Sequence, residues 1–256
     1  MNKNLHLSKM KLFNGDCLEE IKNIDDNSVD LIFCDLPYGQ TNCKWDIIIP
    51  WEPLWNELMR VKKLNTPIFF TTTTKFGVEL INNAPKKCPF RYDLVWVKSA
   101  TSGFLTSKIM PLKKHEMIYS FYEKKPYYDL SSHTHKFSEK VKEIPRDSTY
   151  GNIKTHDLVI GETTGQPRYE PPLPTSMLEI NSTRGKHSTE KPVALMEWIL
   201  KYYSKEGDVI LDPTMGSGST GVACKNMNRE FIGIEKDPGI YQAAVNRLDF
   251  NFSLNE

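Results

Sequence analysis

No apolar run in this sequence approaches the ~20 residues needed to cross a bilayer. The opening, Met1-Asn2-Lys3-Asn4-Leu5-His6, lacks the apolar segment of a secretion signal. Cysteine is sparse and irregular: Cys17, Cys34, Cys43, Cys88 and Cys224 include no Cys-x-x-Cys pair. An odd, scattered set argues against a disulfide framework and a zinc ribbon, and for a reducing cytoplasm. There is no internal repeat. Net charge is nearly absent too, at +1, but its distribution is uneven. Residues 86–156 carry 14 Lys/Arg against 7 Asp/Glu, leaving 19 against 25 elsewhere. His115, His133, His135 and His156 also fall in that basic stretch. Such asymmetry is a signal for a polyanion partner, with a lysine-rich solvated face as the plain alternative.

What is present reads as an α/β protein. At 256 residues, 39% hydrophobic and 25% charged, the chain suits one α/β domain with an insertion. Short apolar runs rich in β-branched and aromatic residues predict strands at Lys11–Asn14, Val29–Cys34, Ile68–Phe70, Tyr92–Val97, Glu116–Phe121, Val209–Leu211 and Phe231–Ile234. Helical spacing is expected over Trp51–Leu64, with Leu54, Leu58, Val61 and Leu64 near one face. Further helices are expected over Cys17–Ile21, Pro192–Tyr203, Thr220–Asn226 and Ile240–Leu248. Alternation of strand and helix implies a mostly parallel sheet. Residues 123–182 differ: they are polar, hold Pro126, Pro145, Pro167, Pro171, Pro172 and Pro174, and sustain no period. They read as an inserted region of recognition loops. The expected division is 1–122, 123–182 and 183–256.

Two stretches carry chemistry. Asp35-Leu36-Pro37-Tyr38 ends the buried strand after Val29, and ligands of open α/β sheets bind outside strand carboxyl ends. A carboxylate and an aromatic ring there suit a flat heterocycle bearing an amino group. A solvated cap on a proline turn is the plain alternative. The second stretch, Asp212-Pro213-Thr214-Met215-Gly216-Ser217-Gly218-Ser219-Thr220-Gly221, joins a strand to a helix. Its glycines would let a ligand approach backbone amides. Glu235, at the end of the next strand, could accept hydrogen bonds from both ribose hydroxyls, so an adenosine derivative is expected. The lysine of a P-loop is missing before Ser219-Thr220, Gly216–Gly221 matches the weak Gly-x-Gly-x-x-Gly signal of a dinucleotide site, and a tight turn with no ligand is the plain alternative.

With those residues in hand, the chain resembles the permuted β-group of amino-group DNA methyltransferases. Asp35-Leu36-Pro37-Tyr38 is similar to their Asp-Pro-Pro-Tyr motif, and Asp212–Thr220 to their S-adenosylmethionine loop. His187-Ser188-Thr189-Glu190-Lys191-Pro192 resembles their His-Pro-Thr-Gln-Lys-Pro segment, and Asn14-Gly15-Asp16, Thr41–Asp46 and Ser102-Gly103-Phe104 resemble further family positions. The likeness spans about 11–122 and 183–248. It implies a Rossmann-like class I sheet of about seven strands with circularly permuted motif order and an inserted target-recognition region. Leu36, Thr214, Met215 and Glu190 depart from the family's pattern.

The resemblance implies transfer of a methyl group from S-adenosylmethionine to an exocyclic amine of a base flipped out of double-stranded DNA. No metal and no covalent enzyme–base intermediate are implied. Asp35 and the Leu36 carbonyl would accept the amino hydrogens, Pro37 would fix the turn, and Tyr38 would stack on the base. The implied cofactor residues are Asp16, Cys17, His187, Lys191, Asp212, Gly216, Gly218, Ser219, Thr220 and Glu235. Lys191 would meet the cofactor carboxylate or else be a capping lysine. Trp45 would wall the base pocket or lie in the core, and Lys98, Lys108, Lys113, Lys114, Lys124 and Lys125 would meet phosphates. Asp35 favours N6-methyladenine, since the family's cytosine enzymes often carry Ser-Pro-Pro-Tyr. N4-methylcytosine and a catalytically silent DNA-binding homologue stay open. An RNA or protein methyltransferase would more often show Asn-Pro-Pro-Tyr in unpermuted order. A homodimer and a cognate restriction endonuclease are both compatible with the likeness.

Overall fold

The structure, a computed structural model, describes residues 5–7, 10–40, 46–135, 169–182 and 190–253. Its first unit joins 1–128 to 176–256, and its second is Asp129–Thr175. The first unit begins with β1 (Leu5–Leu7), β2 (Met10–Asn14), α1 (Cys17–Glu20) and β3 (Leu31–Cys34). Next come α2 (Trp51–Val61), β4 (Ile68–Thr72), α3 (Thr74–Asn82), β5 (Phe90–Ser102) and β6 (Lys113–Phe121). In the second unit, β7 (Thr134–His135) and β8 (Tyr169–Glu170) pair antiparallel, and His133 Nδ1 donates to the Pro171 carbonyl at 2.9 Å. The first unit resumes with β9 (Met177–Glu179), α4 (Val193–Tyr203), β10 (Val209–Asp212), α5 (Ser219–Asn226), β11 (Glu230–Glu235) and α6 (Pro238–Ser253). The second unit lies inside the 123–182 expected as an insertion, because β9 adds to the main sheet beside β5.

The sheet runs β1-β2-β11-β10-β3-β4-β6-β5-β9. Its seven central strands meet the expected count, and β1 and β9 add three residues at each edge. β2, β11, β10, β3 and β4 are parallel, while β6 is antiparallel to both β4 and β5. Every residue of β3 and β4 is buried, as a strand covered on both faces requires. Phe69, Phe70, Phe121 and Phe231 are among the largest fully buried side chains. No described helix is long and apolar enough to cross a membrane.

The helices differ from expectation in two places. α2 buries Leu54, Trp55, Leu58 and Val61, but it stops at Val61 and Leu64 is exposed. The stop has a local cause. Lys62 is extended and bridges to Val29, and the Lys63 N–H donates to the Val29 carbonyl at 3.0 Å. Helix α3 was not expected at all. The threonine run preceding it conceals a cap, Thr73, whose hydroxyl accepts from the Phe76 N–H at 3.3 Å.

Because the five parallel strands point one way, the turns after β2, β11, β10, β3 and β4 share one edge of the sheet. That edge gathers Asp16, Glu235, the glycine loop, Asp35 and Thr71.

Candidate active site

Asp35-Leu36-Pro37-Tyr38 leaves β3 beside the loop leaving β10, since Leu211 pairs with Ile32. Leu36 sends its side chain into the core. No hydrogen bond from a described residue reaches its carbonyl. Gly39 turns the chain at φ +62°, and the Asp46 carboxylate accepts from the Gly39 and Gln40 N–H groups at 2.7 and 2.8 Å. The Thr214 hydroxyl donates to the Asp35 carbonyl at 3.1 Å, joining residues 179 positions apart. Thr214, a departure from the family's phenylalanine, thus ties the two informative stretches together.

The Asp35 carboxylate sits in a charged cluster that the sequence reading did not assemble. Lys191 Nζ lies 2.7 Å from Asp35 Oδ2 and 3.2 Å from Glu116 Oε1. Lys98 Nζ lies 2.6 Å from Glu116 Oε2 and over the Trp96 ring. The Thr71 hydroxyl donates to Asp35 Oδ1, and the Tyr38 hydroxyl is 3.1 Å from Thr71 Oγ1 and 3.2 Å from Glu116 Oε1. Two carboxylates therefore face two ammonium groups. Burial alone would raise the Glu116 carboxyl, but Lys191 and Lys98 outweigh it and hold the group below the usual range. Burial likewise works against the Lys191 charge, and Asp35 with Glu116 outweighs it, so that ammonium is held above its usual value. Burial foremost, and then the neighbouring carboxylates, push the Tyr38 phenol well up. Its ring packs on Phe76 at 4.9 Å.

Two lysines expected at ligands have partners within the protein. Lys191 pairs with Asp35 and Glu116, and Lys98 with Glu116. Glu116 and Thr71 were passed over because they sit inside runs that read as core strands. A glutamate heading the mostly apolar Met117–Phe121 run was the available signal. Lys108, Lys113, Lys114, Lys124 and Lys125 are exposed. Trp45 and His187 lie outside the described residues.

On the other side of Thr214, the glycine loop is held from below. Buried Asp212 accepts from the Thr214 N–H at 3.1 Å and from the Thr220 hydroxyl at 2.6 Å. Burial pushes the Asp212 carboxyl up to about 7, the Thr220 and Thr214 hydrogen bonds opposing it. Asp212 and Thr220 thus brace the loop with their side chains. Ser219 is braced too: its hydroxyl is 3.2 Å from Glu190 Oε1, which Arg247 approaches at 2.8 Å. Gly216 and Gly218 take positive φ, +51° and +80°, which side chains resist. A Cβ at Gly216 would meet only open space, so a ligand can lie against this backbone. Glu235 closes the cradle. Its Oε2 accepts from the Gly216 N–H at 3.1 Å and its Oε1 from the Asp237 N–H at 2.8 Å, with lone pairs remaining for hydroxyls. Asp16 caps α1 through the Leu18 N–H at 3.0 Å and pairs with Lys236 at 3.0 Å. It lies one strand over from Glu235, since Asn14 pairs with Glu235. Cys17 packs in the core, where burial pushes its thiol up to about 12. The open glycine backbone between two carboxylates fits an adenosine-bearing cofactor.

Residues 29–246 match the family model for N6-adenine and N4-cytosine DNA methylases. The chain belongs to this DNA methylase family. Among curated relatives it is 26% identical to the type II methyltransferase M.HindIII of Haemophilus influenzae, over 93% of this chain and 94% of that one. It is also 26% identical to M2.DpnII of Streptococcus pneumoniae, over 94% and 90%. A 65-residue stretch, 25% of this chain and 24% of the relative, is 46% identical to M2.LlaDCHI of Lactococcus lactis subsp. cremoris. The fold is like that of the M1.HpyAVI–SAM complex, with TM-score 0.61 and 22% identity over 93% and 100% of the two chains. It is also like the cytosine-N4-specific PvuII DNA methyltransferase, with TM-score 0.64 and 14% identity over 94% and 86%. Members of this family transfer the methyl group of S-adenosylmethionine to an exocyclic amine of DNA. In this methylase the glycine cradle after β10 and the Asp35 turn after β3 lie side by side.

Proposed function

We propose that this methylase moves the methyl group of S-adenosylmethionine to the N6 amine of an adenine flipped out of duplex DNA. The observation that carries the reading is the Asp35 carboxylate, held by Lys191 and Thr71 and joined through Thr214 to the cofactor loop. When bound, S-adenosylmethionine supplies an electrophilic methyl on its sulfonium. Glu235 and Asp16 would hold the adenosine part, and the backbone at Gly216 and Gly218 the rest. An exocyclic amine is a weak nucleophile because its lone pair is delocalised into the ring. Asp35 accepts one amino hydrogen and the Leu36 carbonyl the other, which favours a tetrahedral nitrogen and stabilises the charge that develops there. Pro37 holds that pair at a fixed turn, and the Tyr38 ring supplies a face for the base. Lys191 and Glu116 orient Asp35 without touching the base.

A carboxylate at position 35 favours adenine, and the type II methyltransferases among the relatives support a place beside a cognate restriction endonuclease. The unit spanning Asp129–Thr175 is the region to which we assign target recognition. Expression in a methylation-free host, followed by nucleoside mass spectrometry, tests the reading. N6-methyladenine is expected, and it should vanish in an Asp35→Ala protein that still binds S-adenosylmethionine. N4-methylcytosine would reassign the base. Unmodified DNA from a folded, cofactor-binding protein would overturn the function.

A further inference from the structure

The β5–β6 hairpin ends in a tip that the reaction above does not use. Gly103 turns the chain at φ +92°, and Phe104–Thr106 forms a single 3-10 turn. The tip is tied internally, with Thr106 N–H on the Gly103 carbonyl at 3.1 Å and both Ile109 and Met110 N–H on the Thr106 carbonyl at 3.0 Å. Yet its large apolar side chains face solvent: Phe104 is 68% exposed, Leu105 103%, Ile109 80% and Met110 54%. Apolar groups clustered this way mark a binding surface.

Charge and position identify the partner. No aspartate or glutamate occurs between Asp93 and Glu116, whereas Lys108 sits in the tip and Lys113 and Lys114 on its return strand, all exposed. An apolar point with a cationic collar suits a polyanion that has an apolar interior. The base of the same hairpin carries Lys98 and Glu116, inside the charged cluster at Asp35. Lys113, paired with Ser102, is three residues from Glu116, or ~10 Å at about 3.3 Å per strand residue. The tip therefore projects from the edge at which a flipped base must enter. Removing a base from the stack leaves a gap, and apolar side chains that enter a duplex can replace lost stacking.

We propose that Phe104 and Leu105 insert into duplex DNA at the step vacated by the flipped base, with Lys108 and Lys113 on the flanking phosphates. This rests on the reading of the chain as a base-flipping DNA methylase, whichever base is the target.

The test uses the full chain and the recognition site mapped by modification-aware sequencing of DNA from cells expressing the wild type. Two synthetic duplexes carry that site: one fully paired, one with the base opposite the target removed. A Phe104→Ala/Leu105→Ala protein should lose roughly 10- to 100-fold in kcat/KM on the paired duplex, the equivalent of the stacking given up. On the duplex already lacking the opposing base it should stay within about threefold, because opening costs less there. Lys108→Ala and Lys113→Ala should each flatten the salt dependence of DNA binding by about one unit. Equal losses on both duplexes would overturn the proposal. So would sedimentation showing that the double variant has lost self-association, since the tip would then face a second copy. A wild type that methylates nothing refutes the underlying function instead, which keeps the two failures distinct.

Discussion

Replacing Lys191 by methionine should destabilise the fold and slow catalysis while leaving cofactor affinity almost intact. The ammonium touches Asp35 at 2.7 Å and Glu116 at 3.2 Å, with side-chain exposures of 12% for Lys191, 9% for Glu116 and 28% for Asp35. Breaking a fully buried pair costs roughly 3–5 kcal/mol, chiefly by stranding a charge. Here Lys98 stays on Glu116 at 2.6 Å and Asp35 is partly solvated, so the expected loss is about 2–3 kcal/mol. Urea unfolding at pH 7 measures it. Adding Glu116→Gln removes one of the two carboxylates that shared Lys191 and leaves one carboxylate and one ammonium, Asp35 and Lys98, in the cluster, so the double variant should recover about 1 kcal/mol or more.

The sign of the pH dependence follows from Glu116. Its folded value lies below the ordinary 4.5, so its contribution is present above 4.5 and lost as pH falls through the folded value. The deficit of Lys191→Met should therefore be largest at neutral pH and shrink below 4.5. In kinetics, a misaimed Asp35 should lower kcat by about 100-fold with the KM for S-adenosylmethionine little changed. A raised cofactor KM with kcat intact would refute the argument and return Lys191 to the cofactor carboxylate. A double variant no more stable than the single one would refute the electrostatic coupling.

Three further outcomes follow from the cofactor side. Burial holds the Asp212 carboxyl at about 7, above its ordinary 3.8, so the folded state retains a proton between those values and stability falls as pH rises through about 7. Asp212→Asn should flatten that slope in unfolding midpoints measured across the window. Glu235→Gln should weaken S-adenosylmethionine binding roughly 10- to 100-fold in calorimetric titration, the size of a charge-assisted hydrogen bond lost. Gly218→Ala should cost about 1 kcal/mol in unfolding, because φ is +80° there and the new Cβ meets Ala244 at 3.4 Å.

The strand plan was legible because fully buried parallel strands leave short apolar runs, and Val29–Cys34, Ile68–Phe70 and Phe231–Ile234 are such runs. The two candidate stretches were legible because their features are local: a carboxylate beside a proline turn, and glycines between a strand and a helix. Glu116, Thr71 and Lys98 were not, because their role exists only across strands. The pairing of β4 with β6, Thr71 opposite Ile118, and of β6 with β5, Trp96 opposite Glu116, brings them together. The Lys191 pairing was not legible for a related reason. Its neighbours in sequence lead towards the cofactor loop, while its side chain reaches the charged cluster around Asp35. Likewise the hydrogen bond by which Asp212 and Thr220 brace the turn that presents the glycines joins residues eight positions apart and was not legible.

The permuted order of the two stretches is harmless for a reason visible in the sheet. What the site requires is that β3 and β10 be neighbours, not that one precede the other in the chain. Their pairing places the Asp35 turn beside the glycine loop, and the Thr214 hydroxyl then closes the remaining gap onto the Asp35 carbonyl. The register of that pair is fixed by burial: Leu31, Ile32, Phe33 and Cys34 have no exposed face, and Ile210, Leu211 and Asp212 opposite are buried as well. A slip of one residue would reverse which side of the sheet each side chain meets. It would turn Asp35 away from Lys191 and Thr71, and pull Thr214 off its acceptor. The apolar tetrapeptide before Asp35 is therefore as necessary to the chemistry as the motif it precedes. A polar substitution at Ile32 should abolish methyl transfer and cofactor binding together, whereas Asp35→Ala should abolish only the first.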